Sequence, residues 1–213
     1  MIDNREEKIA KEIRENWFKN HKSKLKKIEG LGEVLLWKQH GTVLYKVQYF
    51  MVSNMLFITG DLGDAAFNLT WRSTLESFRN VSLSYFFSKL TAYYGDKYDF
   101  NSKEAIKELK EHKALLVDED EGGYDESEVE VFDELIKVAD DCSTVGDWTF
   151  ELNSEYIDDV LEIDPDAYEW IYDIGNVIPN RIIAYWVGLK MALEQIEEWY
   201  NETRARDTYI RFK

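Results

Sequence analysis

One cysteine and two prolines stand in 213 residues. Cys142 has no partner for an internal disulfide and cannot build a cysteine-based zinc site. A reducing compartment is therefore expected. Two prolines with 11 glycines exclude collagen-like and proline-rich linker sequences. No run approaches the roughly 18 apolar residues that suggest a membrane span. The opening stretch MIDNREEKIAKEIREN lacks the apolar core of a signal peptide. The expectation is a cytoplasmic protein without a membrane partner. Standard catalytic signatures are missing too: there is no P-loop, GxGxxG, HExxH, GxSxG or EF-hand loop. His21, His40 and His112 fall in unrelated segments, too scattered with Cys142 to name a nucleophile and its base.

Apolar residues make up 45% and aromatics 15% of the chain, which excludes wholesale disorder and allows a sizeable core. Trp17, Trp37, Trp71, Trp148, Trp170, Trp186 and Trp199 are many for this length, and most are expected inside.

Charge is the strongest signal. Lys plus Arg number 26 against 42 Asp plus Glu, a net of −16. Residues 1–113 carry 19 basic and 15 acidic side chains, whereas residues 114–213 carry 7 and 27. Between Asp118 and Asp173 lie 22 acids and one base, Lys137. Such a chain is not expected to bind nucleic acid directly, because phosphates would repel it. Disordered acidic tails are poor in aromatics. Here the acids alternate with residues such as Phe132, Leu135, Trp148, Phe150, Tyr156, Val160, Tyr168 and Trp170. The expectation is a folded surface studded with carboxylates, which repel one another at a cost in stability.

The periodicity predicts a helix over residues 3–28, with Ile9, Ile13 and Trp17 or Phe18 as its stripe and a basic end, KNHKSKLKK, suited to the helix dipole. That basic end is also a candidate contact for an acidic partner. Strands are predicted in VLLWKQ, VLYKVQYFMV, MLFITG and AAFNLTW between residues 34 and 71, with His-Gly and Ser-Asn as turns. Helices are predicted at 74–80, 82–94, 102–117, 126–141, 154–163, 165–173 and 178–203. The predicted class is α+β: a small antiparallel sheet of about four strands flanked by N- and C-terminal helices. Residues 1–117 are expected to form the α/β core and residues 118–213 an acidic, mainly helical half packed on it as one compact unit.

Two stretches are candidates for chemistry. GDLGD at residues 60–64 presents Asp61 and Asp64 at a strand end. It reads as a structural turn, since Asp bonds its own backbone and Gly tolerates positive φ. Paired carboxylates could also hold a divalent cation or do acid–base work. DEDEGGYDESEVE at residues 118–130 is a weak calcium candidate without the ligand order of a calcium loop. Neither calls for a metal or cofactor.

The stretch FITGDLGDAAFNLTWRSTLESFRNVSLSYFFSKL, residues 57–90, resembles a pattern in uncharacterised bacteriophage proteins. A hydrophobic strand ends in Gly-Asp-x-Gly, and a Phe-containing helix and a Tyr-x-x-x-Lys helix follow. The matching residues are Gly60, Asp61, Gly63, Phe67, Phe78, Tyr85 and Lys89. The resemblance implies a phage product acting in bacterial cytoplasm and brings no catalytic residues. With the anionic half, it makes the expected function inhibition of a bacterial defence nuclease by an acidic DNA-mimicking surface, similar to anti-CRISPR proteins and without enzymatic chemistry. The expected partner is a basic nucleic-acid-binding protein, a CRISPR effector nuclease in the first place. The expected contact residues are Asp118, Glu119, Asp120, Glu121, Asp125, Glu126, Glu128, Glu130, Asp158, Asp159 and Glu162. The chain would be a monomer or homodimer. Two alternatives stay open: a metal-dependent phage enzyme acting on nucleic acid through Asp61, Asp64 and acids of the second half, and a self-assembling structural protein whose basic segment 19–27 docks on a neighbour's acidic half.

Overall fold

The computed structural model describes residues 4–119 and 126–211. The chain forms two compact units, Met1–Asp96 with Pro179–Lys213 and Lys97–Ile178. Among the described residues there are seven α-helices, a six-stranded antiparallel sheet and a two-stranded ladder. The class is the mixed α+β expected, with six strands in the main sheet where about four were predicted.

The first unit is a meander. β1 (His21–Ile28), β2 (Gly32–Gln39), β3 (Val47–Val52), β4 (Met55–Gly60), β5 (Ala65–Asn68) and β6 (Leu90–Tyr93) pair in sequence order. The period-2 pattern sets which face is buried. Leu35 and Trp37 on β2, Val47, Tyr49 and Met51 on β3, and Leu56 and Ile58 on β4 all turn inward. α1 (Asn4–Glu12), a π-helical turn at Ile13–Trp17, α2 (Leu83–Ser88) and the long helix α7 (Asn180–Arg211) complete the unit. From Ile182 to Leu193, α7 is buried on nearly every side, so this stretch shows no narrow apolar stripe. Two tyrosines fix it: the Tyr49 hydroxyl donates to the Tyr185 carbonyl at 3.1 Å, and the Tyr185 hydroxyl donates to the Leu62 carbonyl at 2.8 Å. Lys190 donates from α7 to the carbonyls of Phe78 and Arg79, which close the 3-10 turn Leu75–Phe78.

The single helix predicted over residues 3–28 is corrected. Helical structure ends at Trp17, and the basic segment is strand β1. His-Lys-Ser-Lys-Leu-Lys-Lys-Ile has the alternation of a strand, and pairing along eight residues with β2 overrides its helical character. The helix predicted over 82–94 stops at Ser88, because the chain turns back to pair β6 with β5.

In the second unit, β7 (Asp99–Phe100) pairs with β8 (Asn176–Val177). Between them lie α3 (Ser102–Glu119), α4 (Glu126–Asp141), α5 (Val145–Glu151), a π-helical turn at Leu152–Tyr156 and α6 (Ile157–Ile163). The helix predicted over 165–173 is instead two 3-10 turns, Ala167–Glu169 and Ile171–Asp173. The core gathers Leu109, Phe132, Leu135, Ala139, Trp148, Leu152, Val160 and Ile171. Trp148 Nε1 donates to the Ile171 carbonyl at 2.9 Å, which satisfies its buried polar atom. No described helix is long and apolar enough to cross a membrane.

Candidate functional site

The division into units sharpens the charge asymmetry. Lys97–Ile178 holds 26 acidic and 6 basic side chains, a net of −20, and the sheet unit holds 16 and 20, a net of +4. On α4, Phe132, Leu135 and Ala139 face the core at spacings of three and four. The same geometry turns Glu130, Glu134, Asp140 and Asp141 to solvent. Val160 anchors α6 and leaves Asp158, Asp159 and Glu162 exposed.

The carboxylates divide by what holds them. Asp133 pairs with Lys113 at 2.6 Å. Asp147 closes a capping box with Thr144 at the start of α5, and these hydrogen bonds hold its carboxyl below its ordinary range. Asp164 accepts from Trp170 Nε1 at 3.0 Å, and His112 stacks on the same indole at 3.7 Å. Glu108 accepts from the Gly175 amide at 2.8 Å, and partial burial pushes its carboxyl up. These four serve the fold. Glu130, Glu134, Asp140, Asp158, Asp159 and Glu162 are exposed, and no ion pair among the described residues engages them.

Of the residues predicted from sequence, Glu130, Asp158, Asp159 and Glu162 lie on this exposed helical surface. Asp118 and Glu119 close α3, and Glu126 and Glu128 lie in the first turn of α4. Asp120, Glu121 and Asp125, with most of the calcium candidate, lie outside the described residues. Sequence reasoning missed a groove of about 400 Å³ lined by Val138, Asp141, Cys142, Gly146, Asp147, Phe150 and Glu151. Phe150 is 67% exposed there, beside two carboxylates not used in capping. The one sequence signal for this is the position of Phe150 opposite Trp148 on a short helix, and the periodicity predicts no helix over Val145–Glu151. The Cys142 thiol is pushed up by burial, then by Asp147, Glu151 and Asp141, which disfavours its nucleophilic form.

In the sheet unit, GDLGD forms a tight turn. The Asp61 carboxylate accepts from the Tyr45 amide at 2.7 Å, its own amide donates to the Lys46 carbonyl at 2.9 Å, and the Gly63 amide donates to the Gly60 carbonyl at 3.1 Å. Gly60 has φ 151° and Gly63 φ 94°. A side chain on Gly60 would overlap the Lys46 carbonyl, so close backbone approach demands glycine here. His21 is a core residue, 2% exposed, bonded to the Tyr45 carbonyl and packed between Phe18 and Trp37. Among the described residues no group of three or more His, Cys, Asp and Glu is placed to hold a metal ion.

Comparison with protein-family models, with curated proteins and with solved structures finds no match to this chain.

Proposed function

We propose that the helical unit is an anionic ligand for a basic nucleic-acid-binding protein, whose nucleic-acid channel it fills with carboxylates in place of phosphates. The observation that carries this is the confinement of a −20 charge to one folded unit of the chain. A disordered tail would present its charges in no fixed pattern. Carboxylates three and four apart on a helix stand about 5–6 Å from each other. Glu130 with Glu134, and Asp158 with Glu162, have this spacing. Duplex DNA carries about one charge per 1.7 Å of axis, so matching its charge density would take about three such rows side by side. Like charges at that spacing are unfavourable in the free protein, and a cationic partner relieves the repulsion. Phe150 supplies an apolar anchor within the anionic surface, as aromatic residues do at protein interfaces.

On the expectation that residues 57–90 follow a bacteriophage pattern, the partner we propose to test is a bacterial defence nuclease, and first an RNA-guided CRISPR effector. The mechanism would be occupancy, with no bond made or broken. Titrating the protein into such a nuclease and following cleavage of a labelled target should give inhibition that saturates at a fixed ratio. Nuclease preloaded with its DNA should resist. Complete inactivation at about one inhibitor per hundred targets would sink the occupancy reading, since one molecule shields only what it covers.

A further inference from the structure

In an antiparallel sheet with one solvated face, side chains alternate apolar-in and polar-out. The inner face of β1–β6 follows that rule and the outer face departs from it. By register, the outward row that begins at Lys26 continues through Val34, Phe50, Phe57, Ala66 and Ala92 across all six strands. Neighbouring rows add Leu36 beside Lys24, and Val52 beside Met55. Phe50 and Phe57 stand directly opposite each other on adjacent strands, and Phe57 is 44% exposed.

The same face is basic along one side. Lys22, Lys24 and Lys26 project from β1, and Lys38 on β2 stands directly opposite Lys22. Among the described residues no ion pair engages these four. Glu33 is the one carboxylate in the six strands, and it faces inward. Lysines on an edge strand guard against stray strand pairing. That account does not reach Lys38, because β2 lies inside the sheet and like charges directly opposite one another are destabilising. Beside the turns at one end of the face, a groove of about 650 Å³ adds the Trp71 indole and the Arg72 guanidinium.

We infer that this face binds single-stranded nucleic acid, with the lysines of β1 and β2 on phosphates and Phe50 and Phe57 stacked on unpaired bases. Charge complementarity names an anion, and the aromatic pair selects among anions. A duplex hides the faces of its bases, whereas a single strand presents a stackable ring with every charge. Aromatics on a sheet flanked by cations match the two needs of a single strand. The net charge of −16 argued against nucleic acid for the chain as a whole, but the sheet unit carries +4. The inference does not rest on the reading of the helical unit.

The test is fluorescence anisotropy of a labelled single-stranded thymidine oligonucleotide with the full chain. It is run at about 0.15 M salt, where a Debye length of about 8 Å limits repulsion from the other unit's carboxylates. Binding is expected, and Phe57→Ala should weaken it by about 5- to 150-fold, the loss of one stacked base. Phe57→Leu keeps apolar bulk without the ring and should also weaken binding, which separates stacking from a folding defect. Replacing Lys24 and Lys26 with Gln should flatten the dependence of log affinity on log salt by about 0.7 per lost phosphate contact. Absence of binding overturns the inference. So does equal affinity for duplex and single strand with no effect of Phe57→Leu, which would mark plain polyanion attraction. A light-scattering mass twice that of the chain, abolished by Phe57→Asp, with no oligonucleotide bound, would assign the face to a second copy and overturn it as well.

Discussion

Replacing Gly188 with alanine sets two opposed effects at one position. Gly188 lies in α7 where the helix crosses the sheet, and a methyl group there would overlap the Tyr49 hydroxyl and approach Trp37 at 3.3 Å and Phe18 at 3.4 Å. Helix propensity favours alanine by about 1 kcal/mol. Against this, Tyr49 and Trp37 are fully buried and Phe18 is 0% exposed, so none can swing into solvent. Overpacking costs about 1–3 kcal/mol. Displacing the Tyr49 hydroxyl from the Tyr185 carbonyl costs a further 1–3 kcal/mol or so. The net expectation is a loss of about 1–5 kcal/mol. Because the worst overlap is with one oxygen, Tyr49→Phe should relieve it. In that background Gly188→Ala should be neutral or gain up to about 1 kcal/mol, a coupling well above that of independent sites. Urea unfolding followed by tryptophan fluorescence measures the cycle, and hydrogen exchange at β3 amides assigns the transition to the sheet unit. Equal losses from Gly188→Ala in both backgrounds would refute the argument, as would a stabilised single variant.

Gly60→Ala forces a side chain onto a residue at φ 151° against the Lys46 carbonyl, and a loss of about 1–3 kcal/mol is expected in thermal melts. Asp61→Asn should be milder, because an amide oxygen can still accept from Tyr45. His21 and His112 are both held below their ordinary value of 6.5, chiefly by burial. Above that value neither the folded nor the unfolded state carries the proton. As pH falls below 6.5 the unfolded chain takes up protons first, so stability declines until the folded rings titrate too. The fall in urea midpoint between about pH 7.5 and about pH 5.5 should therefore be smaller in His21→Phe than in the native chain. Charge reversal at Glu130, Asp158, Asp159 and Glu162 should slow association with a basic partner more than it speeds dissociation. Affinity unchanged from about 50 to about 500 mM salt would remove the electrostatic basis of that proposal.

Much of the sheet is legible in the sequence because its central strands carry β-branched and aromatic residues between turn residues. Predicted stretches such as VLLWKQ and MLFITG coincide with β2 and β4 apart from an end residue or two. α4 is legible for the matching reason, an apolar stripe at helical spacing on an otherwise charged helix. β1 was hidden because lysine suits both a helix end and a protected edge strand, and only pairing with β2 decides between them. β6 was hidden because Phe86 and Phe87 carry the look of a helix into Leu90, whereas the end of α2 is set by the sheet edge. π-helical turns such as Leu152–Tyr156 leave no periodic trace. The acidic surface was plain from composition. Which carboxylates are engaged in capping, as Asp147 is, and that Phe150 turns outward, are matters of packing that composition does not carry.

The short ladder between Asp99–Phe100 and Asn176–Val177 has a kinetic consequence. α7 covers a sheet whose last strand ends at Tyr93, yet the whole of Lys97–Ile178 is synthesised between them. Long-range contacts of this kind slow folding, because a loop must close before the contact rewards it. When β7 meets β8, and the Asn101 amide bonds the Gly175 carbonyl at 2.8 Å, the two ends of the insertion are drawn together. An insertion that folds first thereby delivers α7 to the sheet as if by a short connection. Closing that ladder would then shorten the connection over which α7 must find its sheet, from the whole of Lys97–Ile178 to a few residues at each end.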